Sequence, residues 1–142
     1  MTGPDYKKWA KRFLIVVAVY VGIVVLFESS LGFFQPEAGN TVMITTFDED
    51  NNPHQRVVSL LSSGDSLYVA VNHWPRAWYR RVRDNGRIQL QNEGRTTEHR
   101  GVVVSGAEHD RVQQDNPTGL VFRLLTGFPP RYFVRLDPQQ SD

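Results

Sequence analysis

The sequence predicts a mainly-β domain of six short strands with brief helices, closed as a small barrel or α+β sheet, behind one apolar N-terminal helix. Three observations carry this. An uncharged run, Phe13 to Phe27, lies near the start; short β-branched runs separated by turn signals follow residue 40; and one stretch, His73–Asn85, shifts to helical period. With 142 residues the chain accommodates one domain, and the part beyond the helix suffices for one modest core.

The apolar run FLIVVAVYVGIVVLF, at ~1.5 Å per residue, falls short of the ~30 Å hydrocarbon core of a bilayer. Adding Glu28, Ser29 and Ser30 as interfacial residues, then Leu31, Phe33 and Phe34, brings it to spanning length. Lys11, Arg12 and Trp9 suit the opposite interface. A cleaved signal peptide would need a small-x-small site, which LFESSLGFF supplies poorly. A buried core helix would be apolar on every face, more than so small a domain can enclose. The expected partition is an anchor over 1–34, a linker over 35–40, a barrel domain over 41–138 and a tail over 139–142. Lys7, Lys8, Lys11 and Arg12 precede the span, which orients a single-pass protein with its globular part outside the cytoplasm.

Pro36 and Gly39 break the chain in the linker. TVMITTF (Thr41–Phe47) is rich in β-branched residues and ends at the turn signal DEDNNP. HQRVVSLL (His54–Leu61) alternates Val57, Ser59 and Leu61 against Arg56, Val58 and Leu60. SSGD then gives a hairpin into Ser66–Asn72. In the helical stretch Pro75 suits the first turn, Trp74, Trp78 and Val82 recur at i, i+4 and i+8, and Asn85-Gly86 is a stop. Arg87–Asn92 and Arg95–Gly106 form a second hairpin across Glu93-Gly94. Short helices are expected over Ala107–Gln114 and Thr118–Thr126, separated at Asn116-Pro117, before a closing strand Arg131–Leu136.

Composition excludes several chemistries. The absence of cysteine removes disulfides, thiolate metal sites and cysteine nucleophiles. The net charge of +1 gives no argument for nucleic-acid binding. The four histidines form no HExxH-type or i, i+4 pair, so no metal site is expected. Neither G-x-S-x-G nor a P-loop nor G-x-G-x-x-G is present.

The segment Val69–Leu90 is the candidate site. A strand delivers Asn72 and His73 to a helix start, whose outward N–H groups form a ready anion site. Arg76 lies in the first turn, where a cation is unfavourable unless an anion is near. Arg80, Arg83 and Arg87 extend a basic stripe beside Trp74 and Trp78. Rings beside fixed guanidinium groups suit a flat, phosphate-bearing cofactor. The same pattern also describes tryptophans packed on the sheet with a solvated arginine face.

The run WPRAWYRRVRDNGRIQL and the order of elements resemble the deazaflavin-dependent nitroreductase family, of the split β-barrel, flavin-reductase-like fold. Trp78-Tyr79 match that family's Trp-Tyr pair, Asn52–Val71 resembles its preceding hairpin, and Pro130–Pro138 is similar to its final strand. The resemblance implies a six-stranded split barrel and a cofactor of the deazaflavin (coenzyme F-420) or FMN type. It further implies a site at Arg56, Asn72, His73, Trp74, Arg76, Trp78 and Tyr79, and a homodimer. Two functions follow as expectations. One is a membrane-anchored oxidoreductase passing hydride to quinone-like or nitro compounds. The other is a non-catalytic tethered barrel binding a small ligand such as haem, or a protein partner. The Trp-Tyr helix favours the first; the acidic turn Asp48–Asn52, which would repel a polyanionic cofactor, favours the second.

Overall fold

The computed structural model of the chain describes residues 6–33, 40–71 and 77–139. Its elements run α1 (Tyr6–Phe33), β1 (Thr41–Phe47), β2 (Pro53–Ser63), β3 (Ser66–Val71) and α2 (Ala77–Asn85). They continue with β4 (Arg87–Asn92), β5 (Arg95–Val103), α3 (Gly106–Asp115), α4 (Leu120–Leu125) and β6 (Tyr132–Pro138). Two compact units emerge: α1 with the segment Gly119–Phe128, and the strands with α2 and α3.

In the first unit, the stretch Tyr6–Ser30 of α1 is long and apolar enough to cross a membrane. At ~1.5 Å per residue its 25 residues measure about 37 Å, against the ~30 Å of a hydrocarbon core. Tyr20 Oη donates to the Leu124 carbonyl at 3.0 Å. The Phe27 and Phe122 rings meet edge to face, 6.3 Å between centroids.

In the second unit, six antiparallel strands close into a barrel in the order β1-β2-β3-β6-β5-β4. The seam is the β1–β4 pair, with Thr45 opposite Gln89. Alternation along each strand decides what fills the interior. Val42, Ile44, Val58, Val69, Val71, Ile88, Leu90, Val134 and Leu136 point inward and are buried. The other face of β3 and β6 carries Tyr68, Ala70 and Phe133, which pack with Val104 and Val112 under α3.

Helix α2 closes one end of the barrel, since Trp78, Tyr79 and Val82 belong to the interior cluster. Gly101 makes room for it. A Cβ there would stand 2.6 Å from both Val82 Cγ1 and Ile88 Cδ1. The helix stops where a left-handed Gly86 (φ 71°) donates its N–H to the Val82 carbonyl at 2.7 Å.

The turns behave as their residues require. Glu93 and Gly94 both have positive φ (48° and 78°), the primed geometry that matches strand twist. Several boundaries shift by one or two residues: β2 runs Pro53–Ser63 and not His54–Leu61, α4 Leu120–Leu125 and not Thr118–Thr126, and β6 Tyr132–Pro138 and not Arg131–Leu136. The β5 strand ends at Val103 and not at Gly106: its pairing with β6 stops at Val103–Val134, and the left-handed Gly106 (φ 60°) opens α3.

Under α3 the outer face is tied by charge. Glu108 accepts from Arg135 Nη1 at 2.8 and 3.0 Å and from Tyr68 Oη at 3.0 Å, while Arg135 also donates to Asp137 at 2.7 Å. Arg135 beside them holds both carboxyls below the usual range. Ser63 donates to Asp115 at 2.6 Å, adding a second tie between sheet and helix.

Candidate functional site

Of the seven residues expected at the site, Asn72, His73, Trp74 and Arg76 lie outside the described residues. The other three are placed as follows. Arg56 is half-buried on β2, opposite Ile44, and so on the face of the ladder that turns to the barrel interior. Trp78 and Tyr79 are 4% and 8% exposed. Their rings meet edge to face at 6.2 Å, and Tyr79 stacks on Tyr132 at 5.3 Å. Burial pushes the Tyr79 phenol up. Both rings belong to the buried cluster that fills the barrel.

The arginines that follow divide by environment. Arg87 is a strut: it donates to Asn51 Oδ1 at 3.0 Å, and its guanidinium lies 3.9 Å from the Phe47 ring centroid. Arg83 pairs with Asp84 at the surface, where such pairs add little. Arg80 and Arg81 line an open cavity of about 840 Å³ on the α2 side of the barrel. Its opposite wall is the β1–β2 turn, with Asp48, Glu49 and Asp50. None of Arg56, Trp78 and Tyr79 lines it.

That turn is organised around one of its own carboxylates. Asp48 accepts from the backbone N–H groups of Asp50 (3.1 Å) and Asn52 (2.8 Å), from Asn52 Nδ2 (3.2 Å) and from His54 Nε2 (2.9 Å). The His54 bond, with the Asn52 backbone next, holds its carboxyl down to about 2. Asp48 thus serves to fold its own turn, with Asn51 left-handed at φ 62°. Glu49 and Asp50 remain as carboxylates facing the same space as Arg80 and Arg81.

The cavity has the volume of an ordinary small-molecule site. Arginines are suited to the phosphate or carboxylate part of a cofactor, and α2 contributes Arg80 and Arg81 to the lining, with Asp84 beside them. The cavity fits a flat ring less well: Phe47 is its one aromatic wall, and Arg87 covers that ring. A second cavity of about 430 Å³ mixes polar residues (Thr41, Ser59, Ser62, Asn92, Asn116) with apolar Leu60, Leu61 and Leu67, and Glu93 is its one charged lining residue.

Two groups, buried His99 and half-buried Arg135, escaped the sequence reading. His99 points into the barrel beside Ile88, with Nε2 2.9 Å from Thr97 Oγ1 and Nδ1 without a partner among the described residues. Burial pushes its imidazole pKa below the ordinary value. Arg135 is the other, since nothing in the strand Arg131–Leu136 marked it as the shared donor to two carboxylates, Glu108 and Asp137. No group of three or more potential metal ligands exists among the described residues.

No protein-family profile matches the chain, and no curated protein matches it in sequence. Solved structures do match in shape. HutZ, a heme storage protein from Vibrio cholerae, is 17% identical, with 72% of this chain and 83% of that one covered and a TM-score of 0.55. An F420-H2-dependent reductase is 12% identical over 70% of this chain and 95% of its own, with a TM-score of 0.53. A FAD-binding protein from Mesorhizobium loti is 15% identical over 72% and 81%, with a TM-score of 0.50. At such identities the likeness is one of fold, and the fold is the split barrel expected from the sequence.

Proposed function

We propose that this chain is a membrane-tethered split barrel that binds a phosphate-bearing redox cofactor of the flavin or deazaflavin (F-420) type. The reaction class is hydride transfer to quinone-like or nitro acceptors. The observation that carries the reading is the arginine-lined cavity beside α2, on a barrel whose shape is shared with FAD-binding and F420-dependent proteins. Arg80 and Arg81 would hold the anionic tail. Arg56, on the inward face of β2, and Asn72, His73, Trp74 and Arg76 would meet the ring or the phosphate nearest it. Trp78 and Tyr79 would act from behind, fixing the helix that presents these groups. When bound, the cofactor supplies the hydride; the protein supplies orientation, charge and exclusion of water.

The tether would be α1, retained as a span with the barrel on the extracytoplasmic side. Acceptors soluble in lipid are concentrated at that surface. Two copies would pair as a homodimer. A fusion of the C-terminus to a reporter active only outside the cytoplasm tests the sidedness, and silence of the reporter would overturn it.

A second reading has its own support. Glu49 and Asp50 on the wall opposite the arginines oppose a polyanion, and a haem storage protein shares the fold. In that case the chain is a non-catalytic barrel binding haem, another small ligand or a protein partner. The full chain in detergent, titrated in turn with FMN, reduced deazaflavin and haem and followed by absorbance and fluorescence, separates the two. Saturable flavin or deazaflavin binding, weakened by Arg76→Glu or Arg81→Glu, supports the first. Haem binding alone supports the second, and no binding of any of the three removes the cofactor reading.

A further inference from the structure

The segment Gly119–Phe128 (GLVFRLLTGF) interrupts the chain between α3 and β6 and contains one charge, Arg123. Its helix α4 buries no residue fully. Leu120 and Val121 are each 71% exposed, and Leu124 and Phe128 are about half exposed. Four large apolar side chains on one ten-residue excursion form a patch that a water-facing surface rarely carries.

What the segment does touch is α1. Phe122 packs edge to face on Phe27. The Gly127 backbone comes so close that a Cβ there would stand 3.1 Å from Val24 Cγ1. Tyr20 Oη closes the contact on the Leu124 carbonyl. All three α1 residues lie in the C-terminal half of the apolar stretch Tyr6–Ser30. From Tyr20 to Ser30 is about 15 Å of helix, half the thickness of a hydrocarbon core.

The backbone of the segment is also turned in on itself. Arg123 N–H donates to Gly119, Thr126 N–H to Phe122, Gly127 N–H to Leu124 and Phe128 N–H to Arg123. Thr126 Oγ1 donates to the Phe122 carbonyl at 2.9 Å, and the Tyr20 hydroxyl takes up Leu124. Internal satisfaction of carbonyls at a helix end is what hydrocarbon demands and water does not. Arg123, stacked 5.4 Å over the Phe128 ring, has a stem long enough to carry its charge outward to the headgroups.

We infer that Gly119–Phe128 is a second membrane element: a re-entrant turn docked on the C-terminal half of α1, with Leu120, Val121, Leu124 and Phe128 among lipid acyl chains. This rests on α1 being a retained span. The occupant of the patch is lipid because the patch continues the apolar outer surface of α1, where Val17, Val21 and Val25 are likewise exposed. The chain would then hold the bilayer at two places far apart in sequence.

The chain has no cysteine, so single-cysteine variants report one position each. Val121→Cys, Val17→Cys and, as an aqueous control, Glu93→Cys would be labelled with a polarity-sensitive fluorophore. Each full-length protein is reconstituted in mixed phosphatidylcholine and phosphatidylglycerol vesicles and quenched either by an acyl-chain nitroxide lipid or by aqueous iodide. The inference expects the labels at 121 and 17 to emit in the blue and to be quenched severalfold more by the lipid nitroxide, with the reverse at 93. A label at 121 quenched by iodide while that at 17 is quenched by lipid overturns the re-entrant turn and leaves the span intact. A label at 121 that is dry but reached by neither quencher overturns it in favour of protein contact. Iodide quenching at both 121 and 17 fails the span and the inference together.

Discussion

The seating of α2 in the end of the barrel can be tested at a position that touches no ligand. Replacing Gly101 with alanine places a methyl group 2.6 Å from Val82 Cγ1, 2.6 Å from Ile88 Cδ1 and 3.1 Å from Val134 Cγ1. Ile88 Cδ1 is the far end of a side chain and can rotate away. The two valine methyls cannot, because β-branched side chains have little choice of rotamer. Overpacking of this kind costs about 1–3 kcal/mol, and reduced freedom of the unfolded chain returns roughly 0.4–1 kcal/mol. The expected net loss is therefore about 1–2 kcal/mol. With a urea slope of about 1–2 kcal/mol per molar, the unfolding midpoint should fall by roughly 1 M. Tryptophan fluorescence follows it, since Trp78 leaves a buried environment. A double-mutant cycle sharpens the test. Val82→Ala alone should cost roughly 2 kcal/mol as a cavity, but much less in the Gly101→Ala background, where the new methyl takes the space, a coupling of about 1 kcal/mol. A neutral Gly101→Ala, or strict additivity with Val82→Ala, would refute the claim that α2 is locked against β5.

Other outcomes follow from the charged groups. Because the Asp48 carboxyl is depressed from 3.8 to about 2, its stabilising bonds are complete above the ordinary value and are lost as pH falls through the lower one. Asp48→Asn should abolish a step in the His54 ring resonances centred near pH 2 and followed by NMR, and its persistence would reassign the step. Arg135→Met should destabilise the barrel by about 1–2 kcal/mol at neutral pH in urea unfolding, since Glu108 and Asp137 lose a shared charged donor. The difference from the native protein should shrink on acidification, because both carboxyls are held below their usual range in the native state only.

Local chemistry was readable where neighbours in sequence decide it. The β1 strand, Thr41–Phe47, begins and ends where its β-branched run and the DEDNNP turn require, and Glu93-Gly94 makes the hairpin it announces. The Asn85-Gly86 stop holds as well, with Asn85 Nδ2 donating to the Phe47 carbonyl. What the sequence left open was which surface covers a face. Period alone groups Trp78 with Val82, and equally permits a cofactor or a barrel interior above them; Gly101, nineteen residues beyond Val82, selects the interior. Composition likewise did not show that one carboxylate of Asp48–Asn52 also folds its own turn, by accepting from the turn's N–H groups. Phe122 and Gly127 carry no local sign that they answer Phe27 and Val24 about a hundred residues earlier.

The strand order has a consequence for how the molecule is made. During vectorial synthesis β3 and β5 each wait with one unpaired edge until β6, the last strand, can slide between them. Until Tyr132–Pro138 has left the ribosome the nascent domain is an open ribbon with two adhesive margins, by which time α1 has long been exposed to whatever receives it. Ring closure is a single late event, and the interval before it is when this chain most needs a chaperone.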